Sequence, residues 1–439
     1  MGSINTTGIR IASASGSVTD RRDGFADLAK NESIQFIVGD WMSEYNMTTR
    51  GGAKIDSKGS SDEFEISFLE ALDPALPHLQ ANKIKVAVNA GASDTEKLYK
   101  VVVDKIKAAG LDLQVAWVGG DEVFDMVTSS VKEGEEFKSI TTGRKLAEWE
   151  FEPIYAQCYL GCWGIVEAFK HGADIVLCGR VADASPTMAC AAYTYGWKRE
   201  DYQQLAHAFV AGHFIECSTY VTGGNFSGFK SLPGLSLNLG FPIAEISENG
   251  TFYITKQKNH DGMVTPETCK AQLLYEIQGP LYYNSDVVAQ LDQITIQQVS
   301  ENRVQASPKP YFEYFVSILP QKNLQHICYL PAKGIQVAID APTDTEDFLY
   351  EQDTYETTNP LDLVTLHPTT KAPLGYIVHA RSGDKGSDAN VGFFVRYADE
   401  WDWLRSFLTI EKVRELLGED DTGKPIFRFE LPNIAGMQK

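Results

Sequence analysis

The chain has 439 residues, of which 43% are hydrophobic and 22% charged, and its formal net charge is −20. A chain of this length and composition can bury two cores, a large one and a small one, and most of it is not expected to be disordered. The negative charge argues against nucleic acid and anionic membranes as partners, because both require clustered cations. No apolar stretch approaches the roughly 18 residues of a membrane span. The sequence therefore predicts a cytoplasmic protein that binds a small molecule and contacts neither nucleic acid nor a membrane.

The N-terminal part repeats one pattern, in which a short β-branched run is closed by a polar turn that usually contains glycine. Apolar continuity without alternation is typical of strands buried on both faces of a parallel sheet. Helices are predicted between the runs, one with a capping box at Ser93 to Glu96 and another from Phe151 to Lys170. This alternation predicts an α/β fold with a doubly wound, mainly parallel sheet. The runs are GIRIASASG, IQFIVGD, IKVAVNAG, LQVAWVGGDE and ADIVLCGRVAD.

The pattern changes from about Glu200. A helix is predicted up to Cys217, a hairpin about Asn249-Gly250, and a further helix from Pro266 to Ile277. The end of the chain predicts strand, loop, strand and amphipathic helix, which is enough for a small α+β domain, and aromatic residues near WDWL favour a homo-oligomer. The predicted units are an α/β domain at 1–335, a linker or arm at 336–371 and a small α+β domain at 372–439.

Polar turns follow the predicted parallel strands. Because the carboxyl ends of such strands meet at one edge of a sheet, these turns are expected to converge there and to bind a ligand. The substrate-binding candidates on them are Ser15, Asp20, Arg21, Asp40, Asn89, Asp121 and Glu122.

The segment CGRVADAS places Arg180 and Asp183 after the fifth predicted strand. A guanidinium binds carboxylates and phosphates through two parallel hydrogen bonds, so Arg180 suits a substrate that carries either group. The alternative, which the sequence leaves open, is an Arg180–Asp183 pair that only fixes the turn.

The densest polar group lies in AGHFIECSTYVTGGN. An imidazole, a carboxylate and a thiol at a helix end, followed by a glycine turn, can supply an acid–base pair beside backbone donors for an enolate. In the alternative interpretation His213 and Glu216 form an ordinary helix pair and Cys217 packs inside. The candidates are the catalytic His213, Glu216 and Cys217 and the substrate-binding Gly223, Gly224 and Asn225.

The segment HARSGDKGSDAN is predicted to be a polar loop between two strands. Its substrate-binding candidates are His379, Arg381, Asp384 and Lys385, although a structural network would also explain them. Cys158 and Cys162 are spaced to share one face of a predicted helix, but no second ligand pair has zinc spacing, so the sequence leaves a metal undecided. The common signatures of nucleotide and hydrolase sites are absent.

Several distinctive motifs follow one another along the chain. In order, they are IASASGSVTDRR, VGDWMSEYNM, VNAGA, WVGGDE, YLGCWGIVEAFKHGADIVLCGRVADASP, AGHFIECSTYVTGGNF, GFPIAEI, QLLYEI and HARSGDKGSDANVGFFVR. Through them, the chain resembles the acyclic terpene utilisation (AtuA-like) family over nearly its whole length. Fungal members look most similar, and relative to them the chain looks shortened at Ser307-Pro308 and at its end. The resemblance implies a small ferredoxin-like C-terminal domain that carries HARSGDKG.

The resemblance also implies catabolism of branched terpenoid acids as CoA thioesters, with CoA as part of the substrate. The step suggested for the family cleaves a 3-hydroxy-3-isohexenylglutaryl-CoA-like substrate into acetate and a shorter thioester. This retro-aldol chemistry needs a base, an oxygen-polarising cation or divalent metal ion, and an acid. On the matching motifs, the expected base is His213 or Asp183, the clamp is Arg180, the acid is Glu216 or Cys217, and the backbone of Gly223-Gly224 faces the enolate.

Two other functions stay open. One is a non-redox cyclase, isomerase or hydratase of specialised terpenoid or polyketide metabolism. The other is a non-catalytic binding or scaffolding subunit that keeps the fold. A CoA thioester analogue should bind under the lyase hypothesis and not under the cyclase one.

Overall fold

The computed structural model describes residues 8–139, 144–150, 152–232, 237–277, 279–310, 321–343, 352–366, 370–385 and 388–438. Within these ranges the strands form one large and one small sheet. The large sheet contains β1 (Ile9–Ser13), β2 (Phe36–Gly39), β3 (Lys85–Val88), β4 (Val115–Gly119), β5 (Ile175–Cys178), β6 (Pro242–Ile246), β7 (Phe252–Lys256), β8 (Leu281–Tyr283), β9 (Val288–Ser300), β10 (Arg303–Pro310), β11 (Ile327–Leu330) and β12 (Ile335–Ala338). The small sheet contains β13 (Val378–Lys385), β14 (Asp388–Val395), β15 (Phe429–Leu431) and β16 (Gly436–Gln438).

The α-helices of the described residues all lie between β1 and β15 along the chain. They are α1 (Asp23–Asn31), α2 (Glu44–Asp56), α3 (Ile66–Leu72), α4 (Leu76–Asn82), α5 (Thr95–Ala108), α6 (Phe124–Lys132), α7 (Trp163–Lys170), α8 (Ser185–Tyr195), α9 (Tyr202–Glu216), α10 (Pro266–Leu273), α11 (Ala398–Phe407) and α12 (Ile410–Leu417).

Parallel strands form the centre of the large sheet, in the spatial order β4-β5-β3-β2-β1. Antiparallel strands extend both edges, with β6, β7, β10, β9 and β8 beyond β1 and with β11 and β12 beyond β4. The predicted α/β class is confirmed, and all five N-terminal runs are strands of the parallel centre. The sheet as a whole is mixed, because the later strands come from hairpins, such as the one about Asn249-Gly250, and hairpins join antiparallel neighbours.

Helices cover both faces of the parallel centre. Residues such as Ile11 and Val38 pack against α7, α8 and α9, whereas their chain neighbours Ala12 and Ile37 pack against α1, α3, α4 and α5. Successive side chains of a strand point to opposite faces, so each strand contributes to both apolar layers. This two-sided burial is why the sequence shows continuous apolar runs, and it agrees with the predicted doubly wound sheet.

One predicted helix cap and one predicted helix start are wrong. Helix α5 begins at Thr95 without the capping box, and the carboxylate of Asp94 instead accepts a hydrogen bond from the backbone of Glu63 at 2.9 Å. The helix predicted from Phe151 begins only at Trp163. Cys158 therefore lies outside the helix, and it does not share a helical face with Cys162.

The C-terminal sheet has the antiparallel order β13-β14-β16-β15 and its own small core with α11. The prediction of a loop at HARSGDKG is wrong, because residues 378–385 form β13 and pair with β14 in register. Alternation explains the error: His379 and Arg381 point to one face and are buried, although both residue types are polar.

The segment predicted as a linker contacts both domains. Strand β12 pairs with β11 in the large sheet, and Gln352 donates a hydrogen bond to the carbonyl of Leu281 at 2.9 Å. Fully buried Arg428 donates to the carbonyl of Tyr355 at 3.1 Å. Residues 344–351 and 367–369 of this segment lie outside the described residues.

All seven cysteines are free thiols, as their scattered positions suggest. Among the residues that the structure describes, none of the helices combines the length and the apolar character needed to cross a bilayer.

Candidate functional site

The turns that follow the parallel strands lie side by side and are joined by hydrogen bonds. The N–H of Asp40 donates to the carbonyl of Ser15 at 2.9 Å, and the side chain of Asn89 donates to the carboxylate of Asp40. The N–H of Arg180 donates to the carboxylate of Asp121 at 2.8 Å. The turns therefore meet at one sheet edge, where the topology places ligands.

Arg180 is the largest charged group at this edge, and only 2% of it is exposed. Its Nη2 donates to Asp183, and its guanidinium lies 4.1 Å from the centre of the Tyr159 ring. Burial acts to lower its pKa, but Asp183, Tyr159 and Asp40 more than offset burial and raise it. Among the described residues, Nε and Nη1 of Arg180 have no hydrogen-bond partner. The Arg180–Asp183 pair thus exists, and it leaves two buried donors for another group.

His213 lies near the end of α9 in a second polar cluster. Its Nδ1 is 2.8 Å from Glu216 Oε1 and 3.1 Å from the Tyr282 hydroxyl, and its Nε2 is 3.2 Å from the carbonyl of Leu273. The helix pair of His213 and Glu216 is therefore present. Glu276 adds a second carboxylate, and one ligand atom from each of His213, Glu216 and Glu276 lies within 4.8 Å of the others.

Two glycines bring α9 close to the turns. A Cβ on Gly212 would lie 2.7 Å from the side chain of Ala184, which directly follows Asp183. A Cβ on Gly16 would lie 2.5 Å from Cα of Cys217 and 2.6 Å from the carbonyl oxygen of Glu216. These close approaches place the end of α9 against the turns after β1 and β5.

We expect Gly16→Ala to disturb the site, because the added methyl would meet backbone atoms that cannot rotate away. Overpacking of this kind costs about 2 kcal/mol, and misplacing a catalytic segment by about 1 Å lowers kcat/KM up to about 100-fold. Urea unfolding and turnover measurements check both effects. Gly52→Ala in α2 is the control, since its Cβ would meet nothing within 4 Å and should stabilise the helix by about 0.5 kcal/mol. Equal behaviour of the two variants would contradict the packing argument.

The Arg180 and His213 clusters share one electrostatic environment. Burial raises the pKa of Tyr282 well above its ordinary value, and carboxylates including Glu276 and Asp183 raise it further. Burial likewise raises the pKa of Asp40, while Arg180 lowers it and Glu276 adds to the rise. Because Asp183 and Glu276 both affect Tyr282, the two clusters face the same region of the molecule.

The C-terminal domain contributes Arg381 to this region. Its guanidinium lies 4.2 Å from the centre of the Tyr275 ring and 4.7 Å from that of Tyr220, and Nη1 is 3.4 Å from Gln272 Oε1. Gln272 in turn donates to the carbonyl of His213 at 3.0 Å. Arg381, on β13, is therefore connected to the end of α9 through a single side chain.

A cleft of about 340 Å³ lies between the two domains beside Arg381. Two segments predicted to bind substrate form its walls, the glycine turn from Gly223 to Phe229 and the strand from Ala380 to Ser382. Gly223 has a φ of +113°, a conformation that favours glycine. Burial raises the pKa of the neighbouring Cys217 thiol well above its usual value, so this thiol is protonated.

Several predicted site residues hold the turns together. Asp20 accepts a hydrogen bond from the N–H of Gly16 at 2.8 Å. Asp121 is buried, and it accepts from Gln157 at 2.8 Å as well as from Arg180. Together with Ser15, Asp40 and Asn89, these side chains hold the turns in place by hydrogen bonds within the protein.

The described contacts do not bring the other predicted residues to the clusters. Arg21 donates to the carbonyl of Leu239 at 3.0 Å, and Glu122 pairs with Lys54 at 2.8 Å. The buried ring of His379 packs against Phe226, with 5.1 Å between the ring centres. Asn225 is exposed on the cleft wall. The side chains of Asp384 and Lys385 lie outside the described residues.

Sequence reasoning missed Glu276, Tyr282, Tyr159 and Gln272. Glu276 and Gln272 lie in QLLYEI, which the family resemblance had marked without giving it a role. Tyr159 begins the motif YLGCWGIVEAFKHGADIVLCGRVADASP, which the resemblance had also marked without giving this residue a role. Tyr282 lies in a segment with no catalytic spacing, so no local signal could have found it.

Comparison with known families covers most of the chain. The model for the acyclic terpene utilisation family protein AtuA matches residues 9–308, and the model for the AtuA ferredoxin-like domain matches residues 372–438. No curated protein and no solved structure matches the chain significantly. The first model covers the large sheet from β1 through most of β10 with its turns, and the second covers the small antiparallel sheet, whereas β11 and β12 lie between the two matches. The chain therefore belongs to the acyclic terpene utilisation family.

Proposed function

We propose that the protein is a carbon–carbon lyase of terpenoid metabolism, which cleaves a 3-hydroxy-3-methylglutaryl-like or isohexenylglutaryl-like CoA thioester by a retro-aldol reaction. Membership of the family suggests terpenoid metabolism and a metabolic enzyme. The observation that carries the proposal is buried Arg180, with two donors that lack a partner among the described residues, beside the polar cluster around His213. A buried guanidinium with free donors fits the free carboxylate of such a substrate.

In the proposed step, the tertiary hydroxyl loses its proton and becomes a ketone. The bond between C3 and the CH₂ next to the free carboxylate breaks, and its electron pair stays on the CH₂ carbon. Protonation of that carbon gives acetate, while the remainder leaves as a 3-oxoacyl-CoA, so the step needs neither water nor a redox partner. The difficult species is the enediolate of acetate, because it carries two negative charges before protonation.

The side chains at this sheet edge match these demands. Arg180 holds the carboxylate on which the charge develops. Asp183 is one quarter exposed and takes the hydroxyl proton, since both ring nitrogens of His213 already have partners. Cys217, whose burial keeps the thiol protonated, supplies the proton to the enediolate.

The cleft suits the thioester end of the substrate. It opens between the domains and is walled by the Gly223-Gly224 turn, and Arg381 on its border carries a buried Nε without a partner among the described residues. A pantetheine chain that enters there would bring its thioester to Cys217 and the end of α9.

The test is to incubate the purified protein with 3-hydroxy-3-methylglutaryl-CoA and with its isohexenyl homologue and to follow the products by mass spectrometry. We expect equal amounts of acetate and a 3-oxoacyl-CoA, with faster cleavage of the longer substrate. A product of unchanged mass, or one that differs by a single water, would overturn the lyase in favour of an isomerase, cyclase or hydratase. Failure of a folded protein to bind either thioester would favour a scaffolding subunit.

A further inference from the structure

The cluster of His213, Glu216 and Glu276 at the end of α9 has the composition and geometry of a metal centre. We propose that these three side chains bind one divalent first-row metal cation, of the Mn²⁺ or Zn²⁺ class, and leave coordination positions open. The sequence indicated His213 and Glu216 as an acid–base pair and not as metal ligands, because the third ligand lies sixty residues beyond the second, outside the described helices.

Distances support a shared cation. One donor atom from each of the three side chains lies within 4.8 Å of the others, and His213 Nδ1 is 2.8 Å from Glu216 Oε1. Donors bound to one cation at about 2.1 Å lie about 3 Å apart at neighbouring positions and about 4 Å apart at opposite ones. Small side-chain adjustments therefore close the set around a single ion.

The tautomer of His213 also fits a metal ligand. Leu273 offers a carbonyl oxygen 3.2 Å from Nε2, and a carbonyl can only accept a hydrogen bond, so Nε2 carries the hydrogen. In a neutral ring the lone pair is then on Nδ1, which lies 2.8 Å from Glu216 Oε1 and 3.1 Å from the Tyr282 hydroxyl. Metal-binding histidines are commonly fixed by a hydrogen bond of this kind from the other ring nitrogen.

Burial makes a cation between these groups favourable. His213 is completely buried, Glu216 is 5% exposed, and Glu276 is half-buried. Two carboxylates held close together away from water repel each other, and the pair is stabilised by a shared proton or by a cation. The lone pair on Nδ1 adds a donor that a cation uses and that a shared carboxylate proton does not need.

The ligand set indicates the class of metal. One imidazole with two carboxylates suits Mn²⁺, Zn²⁺ or Fe²⁺ better than Ca²⁺ or Mg²⁺, which prefer all-oxygen sites. Three protein ligands, as opposed to four, are typical of catalytic centres that keep a position for substrate. The metal site stands on geometry alone, whereas a role for the metal in polarising the substrate hydroxyl rests on the proposed lyase function.

The experiment measures metal binding separately from turnover. Full-length protein is stripped with a chelator, dialysed, and titrated with MnCl₂ or with ZnCl₂, while bound metal is counted by elemental analysis and the melting temperature is recorded. We expect about one ion per chain and a melting temperature that rises by several degrees. Co²⁺ substitution should give visible absorption bands of a site with nitrogen and oxygen ligands.

Glu276→Gln keeps the size of the side chain and removes one ligand charge, and it should lower metal affinity at least 10-fold. Glu267→Gln, on α10 and outside the cluster, is the matched control and should bind metal as the wild type does. If Glu276→Gln does not fold, the Co²⁺ spectrum of the wild type decides the question by itself. The site is overturned if the wild type binds no ion after dialysis, or if Glu276→Gln and Glu267→Gln bind equally. Lyase activity that persists in chelated, metal-free protein would leave the proposed function intact and end the catalytic role of the metal.

Discussion

Replacing Arg180 with methionine is expected to lower kcat/KM for the 3-hydroxy thioester about 1,000-fold, the range found when one preorganised donor to a developing negative charge is removed. The guanidinium is buried, and two of its nitrogens have no hydrogen-bond partner among the described residues. Methionine fills a similar volume without charge, so the free carboxylate of the substrate would lose the guanidinium donors that bind it. Steady-state kinetics with the two thioesters, combined with thermal melting, measures the effect.

Two further variants separate charge from geometry. Arg180→Lys keeps the charge but loses the paired donors, so it should recover only part of the activity. Arg414→Met, which breaks an ion pair with Asp421 in the C-terminal domain, is the control and should leave turnover unchanged. Near wild-type kinetics for Arg180→Met would show that the carboxylate is bound elsewhere.

Asp183→Asn is expected to lower kcat by a factor of about 100 to 1,000 while KM changes little, because loss of a general base affects the transition state more than binding. Asparagine has the same shape, and the side chain is one quarter exposed, so the fold should survive. Single-turnover measurements would separate the chemical step from product release.

Asp104→Asn on the exposed side of α5 is the matched control for this substitution. It removes one carboxylate from the same N-terminal domain without touching the turns, and its kinetics should match the wild type. A rise in KM with kcat intact for Asp183→Asn would instead assign Asp183 to substrate binding.

The fold was largely predictable because burial on both faces leaves a local signature. The runs that became β1 to β5 are mainly apolar and do not alternate with polar residues, and each one ends in a polar turn. The antiparallel additions were harder to foresee. Strand β9, for example, reads LDQITIQQVS over much of its length, and its last four residues are exposed, so neither apolar continuity nor clean alternation marks it.

The candidate site was predictable only where its residues follow strands or share a helix end. Arg180, Asp183 and His213 could be named from such positions, and the structure brings their surroundings together. Glu276 could not be named, because its place depends on how α10 ends and on a backbone conformation that the residue type does not favour. His379 was named as a substrate-binding candidate because it lies in a polar motif, but its ring packs against the aromatic rings of Phe226 and Phe394.

Arg381, on β13 of the smaller domain, makes the larger domain dependent on the smaller one. Its contacts with Tyr220, Tyr275 and Gln272 place a cation of the smaller domain against the larger one. A truncated form ending before β13 would lose that cation together with one wall of the cleft. Joining both domains in one polypeptide keeps the smaller domain at high effective concentration, so the cleft keeps both of its walls.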